Sequence, residues 1–174
     1  MSSFVISDTH FFHKRIISLC NRKPMDWNHT FIDEYEMNEY QVEAWNKQVK
    51  PNDIVYHDGD FALCKYEHEL RSIFRQLNGK IHIITGNHDH FTKEIRLRLN
   101  RLPFLSISDH PVLIDGMLFS HQPILNPKYP NIHGHLHERL DPNPMCLNVC
   151  VETLNYIPMP IEEAKAIFKK RGVC

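Results

Sequence analysis

Seven side chains with metal-ligating donors fall in five short clusters of this 174-residue chain. They are Asp8 and His10 in Asp8-Thr9-His10, Asp60 in Gly59-Asp60, Asn87 in Gly86-Asn87-His88-Asp89, His121 in Ser120-His121, and His135 and His137 in Gly134-His135-Leu136-His137. Two Asp, one Asn and four His supply the mixed oxygen and nitrogen donors that divalent ions take. Two neighbouring ions can bind a phosphate ester, activate water and stabilise both the attacking and the leaving oxygen. The donor set therefore implies hydrolysis of a phosphate ester by a metal pair.

Asp8 and His10 lie two residues apart, so in extended chain they share a face and can grip one cation. Gly59 permits a tight turn before Asp60, a carboxylate whose two oxygens could each reach a metal. Gly86-Asn87-His88-Asp89 is the most specific piece, an amide oxygen beside a histidine that an acid can orient. His135 and His137 put two imidazoles on one side of an extended segment, which suits adjacent ions. Any one cluster could be a structural turn; their ordered combination carries the reading.

Each cluster follows a segment that reads as a strand. Phe4-Val5-Ile6 precedes Asp8, Ile54-Val55-Tyr56 precedes Asp60, and Ile81 to Ile84 precedes Gly86. Helical spacing lies between them: from near His13, from Thr30 to Val49, from Glu67 to Leu77 and from Thr92 to Asn100. Thr30 with Asp33 resembles a capping box, and Pro51 stops that helix. This β–α–β–α–β order favours parallel strands, whose carboxyl ends form a ligand-binding rim in open α/β sheets. The second half reads as mostly hairpin-like strands: Phe104 to Ser108, Val112 to Ile114, Met117 to Phe119, a segment near Ile132, and Leu147 to Val151. Asp115-Gly116 is a strong hairpin signal between two of them, and a last helix spans Ile161 to Lys170.

Composition narrows the options. The length suits one domain over residues 1–174, able to bury roughly 70% of its unfolded surface. A net charge of −1 gives no general attraction to nucleic acid or anionic lipid. Thirteen histidines raise the expectation of a metal or acid–base site. The five cysteines, at 20, 64, 146, 150 and 174, form no paired CxxC elements and read as ordinary thiols, so neither a zinc site nor a disulfide is expected at Cys146 and Cys150. An odd count without a signal peptide fits a reducing cytoplasm. No apolar run approaches the ~18 residues of a membrane span.

The ordered series DxH, GD, GNHD, H and GHxH from Asp8 to His137 resembles the calcineurin-like metallophosphoesterase superfamily. Ser7-Asp8-Thr9-His10-Phe11-Phe12-His13 and Tyr56-His57-Asp58-Gly59-Asp60-Phe61 are further similar to its small, uncapped bacterial and phage members. The resemblance implies an α/β fold: a two-sheet β-sandwich flanked by helices, in four αββα layers. It implies one metal held by Asp8, His10, Asp60 and His137, and a second held by Asp60, Asn87, His121 and His135, with Asp60 bridging. A hydroxide shared by the ions would attack phosphorus directly, with no covalent intermediate. His88 would contact the phosphate and protonate the leaving oxygen, and Asp89 would hold its imidazole. One departure is Asp58, where relatives carry an apolar residue; a solvated loop carboxylate is favoured over a partner for a ligand histidine.

Further substrate contacts are assigned to His13 and Arg15, one turn beyond the first ligand pair, and to Arg139, close after the last. His57 and His133 read as supports or packing. The expected activity is a dinuclear metal-dependent phosphoesterase acting on small phosphodiester or nucleotide-type substrates, in the cytoplasm. Two divalent ions are expected, manganese first, with zinc, iron or nickel as alternatives. A phosphomonoesterase, a nuclease and a non-catalytic scaffold are the rival readings. The intact ligand series argues against the scaffold, and the nuclease would need a basic track, of which the net charge of −1 gives no signal.

Overall fold

The computed structural model describes residues 1–64, 66–99 and 101–173. Asn100, the expected end of the fourth helix, and Cys174 lie outside the described residues. Four parallel strands build the first sheet: β1 (Ser3–Ile6), β2 (Ile54–His57), β3 (Lys80–Ile84) and β4 (Leu105–Ser108). The second sheet contains β5 (Val112–Ile114), β6 (Met117–Ser120), β7 (Asn131–His133) and β8 (Cys146–Asn148), paired in that order. A short β9 (Met159–Pro160) runs antiparallel to β1 and completes the first sheet as β4-β3-β2-β1-β9. The helices are α1 (Lys14–Leu19), α2 (Glu34–Gln48), α3 (Glu67–Gln76), α4 (Lys93–Leu99), α5 (Val151–Leu154) and α6 (Ile161–Lys170). Two mixed sheets flanked by helices are the expected α/β arrangement.

Strand alternation assigns the apolar residues to two cores. Phe4 and Ile6 of β1, with Val55, Ile81 and Ile83, pack against the helices. Helix α2 presents Met37, Gln41, Ala44 and Trp45 on one stripe, and α3 presents Leu70, Ile73 and Phe74. Val5 and Ile84 face the other way and join Phe119, Ile132, Leu147 and Val149 of the second sheet. Helix α6 adds Ile161, Ala164 and Phe168 to that second core. Burying one such side chain contributes about 1.5–3 kcal/mol.

Several expectations change. Among the described residues only β5 and β6 form a hairpin, through Asp115 and Gly116, both at positive φ; β6, β7 and β8 are parallel to one another. Helix α2 is capped by Asp33, whose carboxylate accepts from the Tyr35 and Glu36 N–H groups, so Thr30 lies outside it. The segment read as a strand from Leu147 to Val151 ends at Asn148, and Val151 opens the unforeseen α5.

The topology brings the strand ends to one rim. Asp8 accepts no helix or sheet partner of its own, yet its N–H donates to the Gly59 carbonyl and His10 N–H to Asp60. Gly134 N–H donates to the His121 carbonyl, and Ser7 bridges to Cys150. The ends of β1 and β2 are thus tied to each other, as are those of β6 and β7, and the two sheets are joined where β1 and β8 end.

Candidate metal centre

Five of the seven expected ligands, Asp8, His10, Asp60, His135 and His137, have φ between 48° and 71°. That left-handed region is unusual for non-glycine residues and costs on the order of 1–3 kcal/mol each unless the surroundings enforce it. Glycines make room for these turns. A Cβ on Gly134 would run into the Asp8 carboxylate and the Ser7 hydroxyl, and one on Gly86 into the Asp60 carboxylate and N–H.

The first donor set is Asp8, His10 and His137. His10 Nε2 lies 3.8 Å from Asp8 Oδ1 and 3.5 Å from Asp60 Oδ2, and His137 Nε2 lies 3.9 Å from Asp8 Oδ1. Asp8 Oδ1 and His10 Nε2 are buried and have no hydrogen-bond partner. Burial opposes the Asp8 charge, but the adjacent His10, the nearby His121 and the Ser7 hydroxyl hold its carboxyl well below the usual range. Burial pushes His10 down, toward the neutral imidazole that ligates metals.

The second set is Asp60, Asn87, His121 and His135. His121 Nε2 stands 2.9 Å from Asn87 Oδ1, 3.3 Å from His135 Nδ1 and 3.5 Å from Asp60 Oδ2. His121 Nδ1 is 2.8 Å from the Asp58 carbonyl, which can only accept, so Nδ1 carries a proton and Nε2 is the nitrogen turned toward the other donors. Lone pairs converging at about 3–3.5 Å are what ligands roughly 2.0–2.2 Å from a shared ion would show. Asp60 Oδ2 faces both sets while Oδ1 accepts from the His88 N–H at 2.8 Å, so one oxygen rather than two is turned to the metal positions. The donor chemistry fits divalent ions, and the clusters Asp8–His10–His137 and Asp8–Asp60–His121 are each compact enough to hold one.

Asp89 was expected to hold the His88 imidazole. Its carboxylate instead accepts from the backbone N–H groups of Asp60, Phe61 and Gly86 at 2.8, 2.8 and 2.9 Å, and so clamps the Asp60 turn to the Gly86 turn. Burial is the main cause of its pKa being raised to about 6. The His88 ring lies 5.3 Å from that of His10 and 6.0 Å from that of His13. His13 Nδ1 approaches His10 Nδ1 at 3.2 Å, and burial pushes His13 down to about 4. Arg15 and Arg139 are exposed, and no ion pair among the described residues ties either guanidinium to the donor sets. Asp58 is wholly buried, with neither carboxylate oxygen partnered, so the solvated-loop reading fails. It follows His57 directly, and alternation puts it on the side of Tyr56, which packs on Phe119 of the second sheet. His57 Nε2 contacts Thr9 Oγ1 at 3.0 Å and His133 Nε2 approaches Asp141 at 3.4 Å, both in supporting positions.

Sequence reasoning missed Arg22 and Glu152. Arg22 is buried, donates to the carbonyls of Asp8 and Thr9, and pairs with Glu152, which also touches His137. The Arg22–Glu152 bond spans 130 residues and neither lies in a motif, so no local signal marks them. Cys20, Cys64, Cys146 and Cys150 are free thiols. Beside His88 lies a cavity of about 110 Å³, walled by Leu63, Tyr66, Leu70, Phe91 and Ile95.

The chain matches the calcineurin-like phosphoesterase family over residues 1–170 and belongs to it. It is accordingly a metal-dependent phosphoester hydrolase. An uncharacterized protein of Methanocaldococcus jannaschii is 33% identical over 183 aligned residues, covering 98% of this chain and 93% of that protein. A solved structure of a protein of unknown function from Aquifex aeolicus superposes with a TM-score of 0.67 at 25% identity, covering 95% of this chain and 98% of that one. The nuclease MPE of Pseudomonas putida superposes with a TM-score of 0.48 at 17% identity, over 78% of this chain and 61% of that chain. No helix among the described residues is long and apolar enough to cross a membrane.

Proposed function

We propose that residues 1–174 act as one domain, a dinuclear phosphodiesterase that cleaves small esters carrying a ring on the leaving group. The observation that carries this reading is the pair of converging donor sets sharing Asp60 Oδ2. Asp8, His10, Asp60 and His137 would hold one ion and Asp60, Asn87, His121 and His135 the other, with manganese the first choice in a cytoplasmic setting. The ions would supply the positive charge that polarises the phosphoryl group and makes water nucleophilic at neutral pH.

The chain's own residues do the rest. His88 stands beside the donor sets with its ring free of them, placed to give a proton to the leaving oxygen as the P–O bond breaks. Asp89 holds the turns that carry Asp60 and Asn87. The cavity beside His88 would take the leaving group, since the group that receives a proton from His88 must sit against its ring. A cavity of roughly 150 Å³ lined by apolar side chains binds benzene, so about 110 Å³, mostly apolar but with Glu67 and His90 on its wall, suits a single ring.

A matrix of Mn²⁺, Zn²⁺, Fe²⁺ and Ni²⁺ against bis-p-nitrophenyl phosphate, p-nitrophenyl phosphate, cyclic nucleotides and dinucleotides tests this. Faster turnover of the diesters with manganese is expected. A preference for the monoester, or steeply salt-dependent binding of oligonucleotides, would replace the reading by a phosphomonoesterase or a nuclease. No hydrolysis with any ion would leave a binding scaffold.

A further inference from the structure

We infer that Arg22 and Glu152 are positioning residues that fix the ring of His137 with its Nε2 turned to the first metal position; this rests on His137 being a ligand there. Glu152 Oε1 is the junction. It lies 2.9 Å from His137 Nδ1, 2.9 Å from Arg22 Nε and 2.8 Å from Arg22 Nη2. The other face of the Arg22 guanidinium reaches the first ligand turn, with Nη1 donating to Thr9 O at 2.9 Å and Nη2 to Asp8 O at 2.5 Å. One buried cation thus holds the backbone that presents Asp8 and His10, and also the carboxylate that presents His137.

A carboxylate can only accept, so His137 keeps its proton on Nδ1 and offers Nε2, which faces Asp8 Oδ1. Carboxylate–histidine–metal arrangements fix the tautomer and ring angle of the ligand, and losing the carboxylate costs about 10–100-fold in metal affinity. Stability alone is a poor explanation for the pair. Arg22 is 1% exposed, and a buried ion pair is often no better for stability than apolar residues of the same volume. A second account is that Cys20, His137 and Glu152, whose donor atoms lie within 4.8 Å of one another, bind a cation of their own. The Arg22 guanidinium on the same Oε1 opposes it, because a cation there would sit against a fixed positive charge.

The test measures Zn²⁺ stoichiometry and affinity by chelator competition, in wild type, Glu152→Gln, His137→Ala and the double variant. Positioning predicts that Glu152→Gln weakens one of two ions about 10–100-fold and that the change has no further effect once His137 is alanine. An unchanged affinity in folded Glu152→Gln, or an equal loss in the His137→Ala background, overturns it. If His137→Ala binds both ions as tightly as wild type, the ligand reading itself fails, and the positioning role with it. A third ion lost in both Cys20→Ser and Glu152→Gln would replace positioning by direct ligation. Should Glu152→Gln not fold, nitrogen NMR of the Zn²⁺-loaded wild type decides. A protonated Nδ1 on His137 supports the inference, and a proton on Nε2 sinks it.

Discussion

Asp60 presents a single oxygen to both donor sets, because the other is taken by the His88 N–H. Asp60→Ala should therefore cost both ions rather than one; metal analysis of the purified variant should find neither retained at stoichiometric level, with turnover lost. His88 makes no side-chain claim on the metal positions, so His88→Ala should keep both ions. If it protonates the leaving oxygen, the variant should lose about 10²–10⁴-fold on alkyl esters and far less on p-nitrophenyl esters, whose leaving group needs no proton. Equal losses on both would return His88 to phosphate binding. His137 adds a pH dependence. Burial opposes its charge, but hydrogen bonds to Cys20 and Glu152 outweigh burial and push it up to about 10 in the metal-free protein. A raised pKa stabilises the metal-free fold fully below the unfolded value of about 6.5, and that contribution is lost as pH climbs toward 10. Over the same window an incoming ion displaces the Nε2 proton, so apparent affinity should rise about tenfold per pH unit. Calorimetry in buffers of different ionisation enthalpy should register about one proton released per ion at that position; none released would remove His137 from the ligand set.

The elements matter through their ends. Asp89 joins the turn after β2 to the turn after β3 with three backbone hydrogen bonds, and each N–H left unpaired by Asp89→Ala costs about 1–3 kcal/mol. That variant should lose metal affinity and thermal stability together, whereas a residue that merely oriented His88 would change the pH profile and leave metal binding alone. Helices and strands with clear periodicity were legible in the sequence: β1 to β3 as short apolar runs, α6 over its full length, and the hairpin at Asp115-Gly116 from its turn chemistry. The DxH, GD, GNHD and GHxH clusters were legible because a metal site needs its donors at fixed short spacings. What stayed hidden depends on long-range packing. The parallel run of β6, β7 and β8 is set by pairing across the sheet, with Asn131 accepting from the Ile124 N–H and Asn148 donating to the His137 carbonyl in the connecting loops. The burial of Asp58 follows from a second sheet closing over it, and the Arg22–Glu152 pair from two segments meeting only in the fold.

On the scale of the whole molecule, the donors come from both sheets. Asp8, Asp60 and Asn87 follow strands of the first, and His121, His135 and His137 follow strands of the second. An ion held across that seam binds only the assembled form. At a hundred times its Kd it would add about 2.7 kcal/mol, which for a chain of this size is a Tm shift of roughly 5–11 °C. Scanning calorimetry with and without a chelator should recover that difference; equal melting temperatures would mean that no ion is bound across the seam. The same seam explains why left-handed ligand turns persist: hydrogen bonds between the sheets, such as His135 N–H to the Asp8 carboxylate and Ser7 N–H to Val149, hold them from outside.

The Asp115-Gly116 hairpin stands at the opposite end of β6 from His121, four strand residues or ~13 Å away. Open space surrounds Gly116, with nothing within 4 Å of where a Cβ would stand, so an insertion that keeps the glycine at its φ of +77° meets no neighbour. The turn is therefore a natural graft point: a fluorophore, an affinity peptide or a surface tether placed there would leave the rim open to solvent, and the immobilised enzyme would face its substrate.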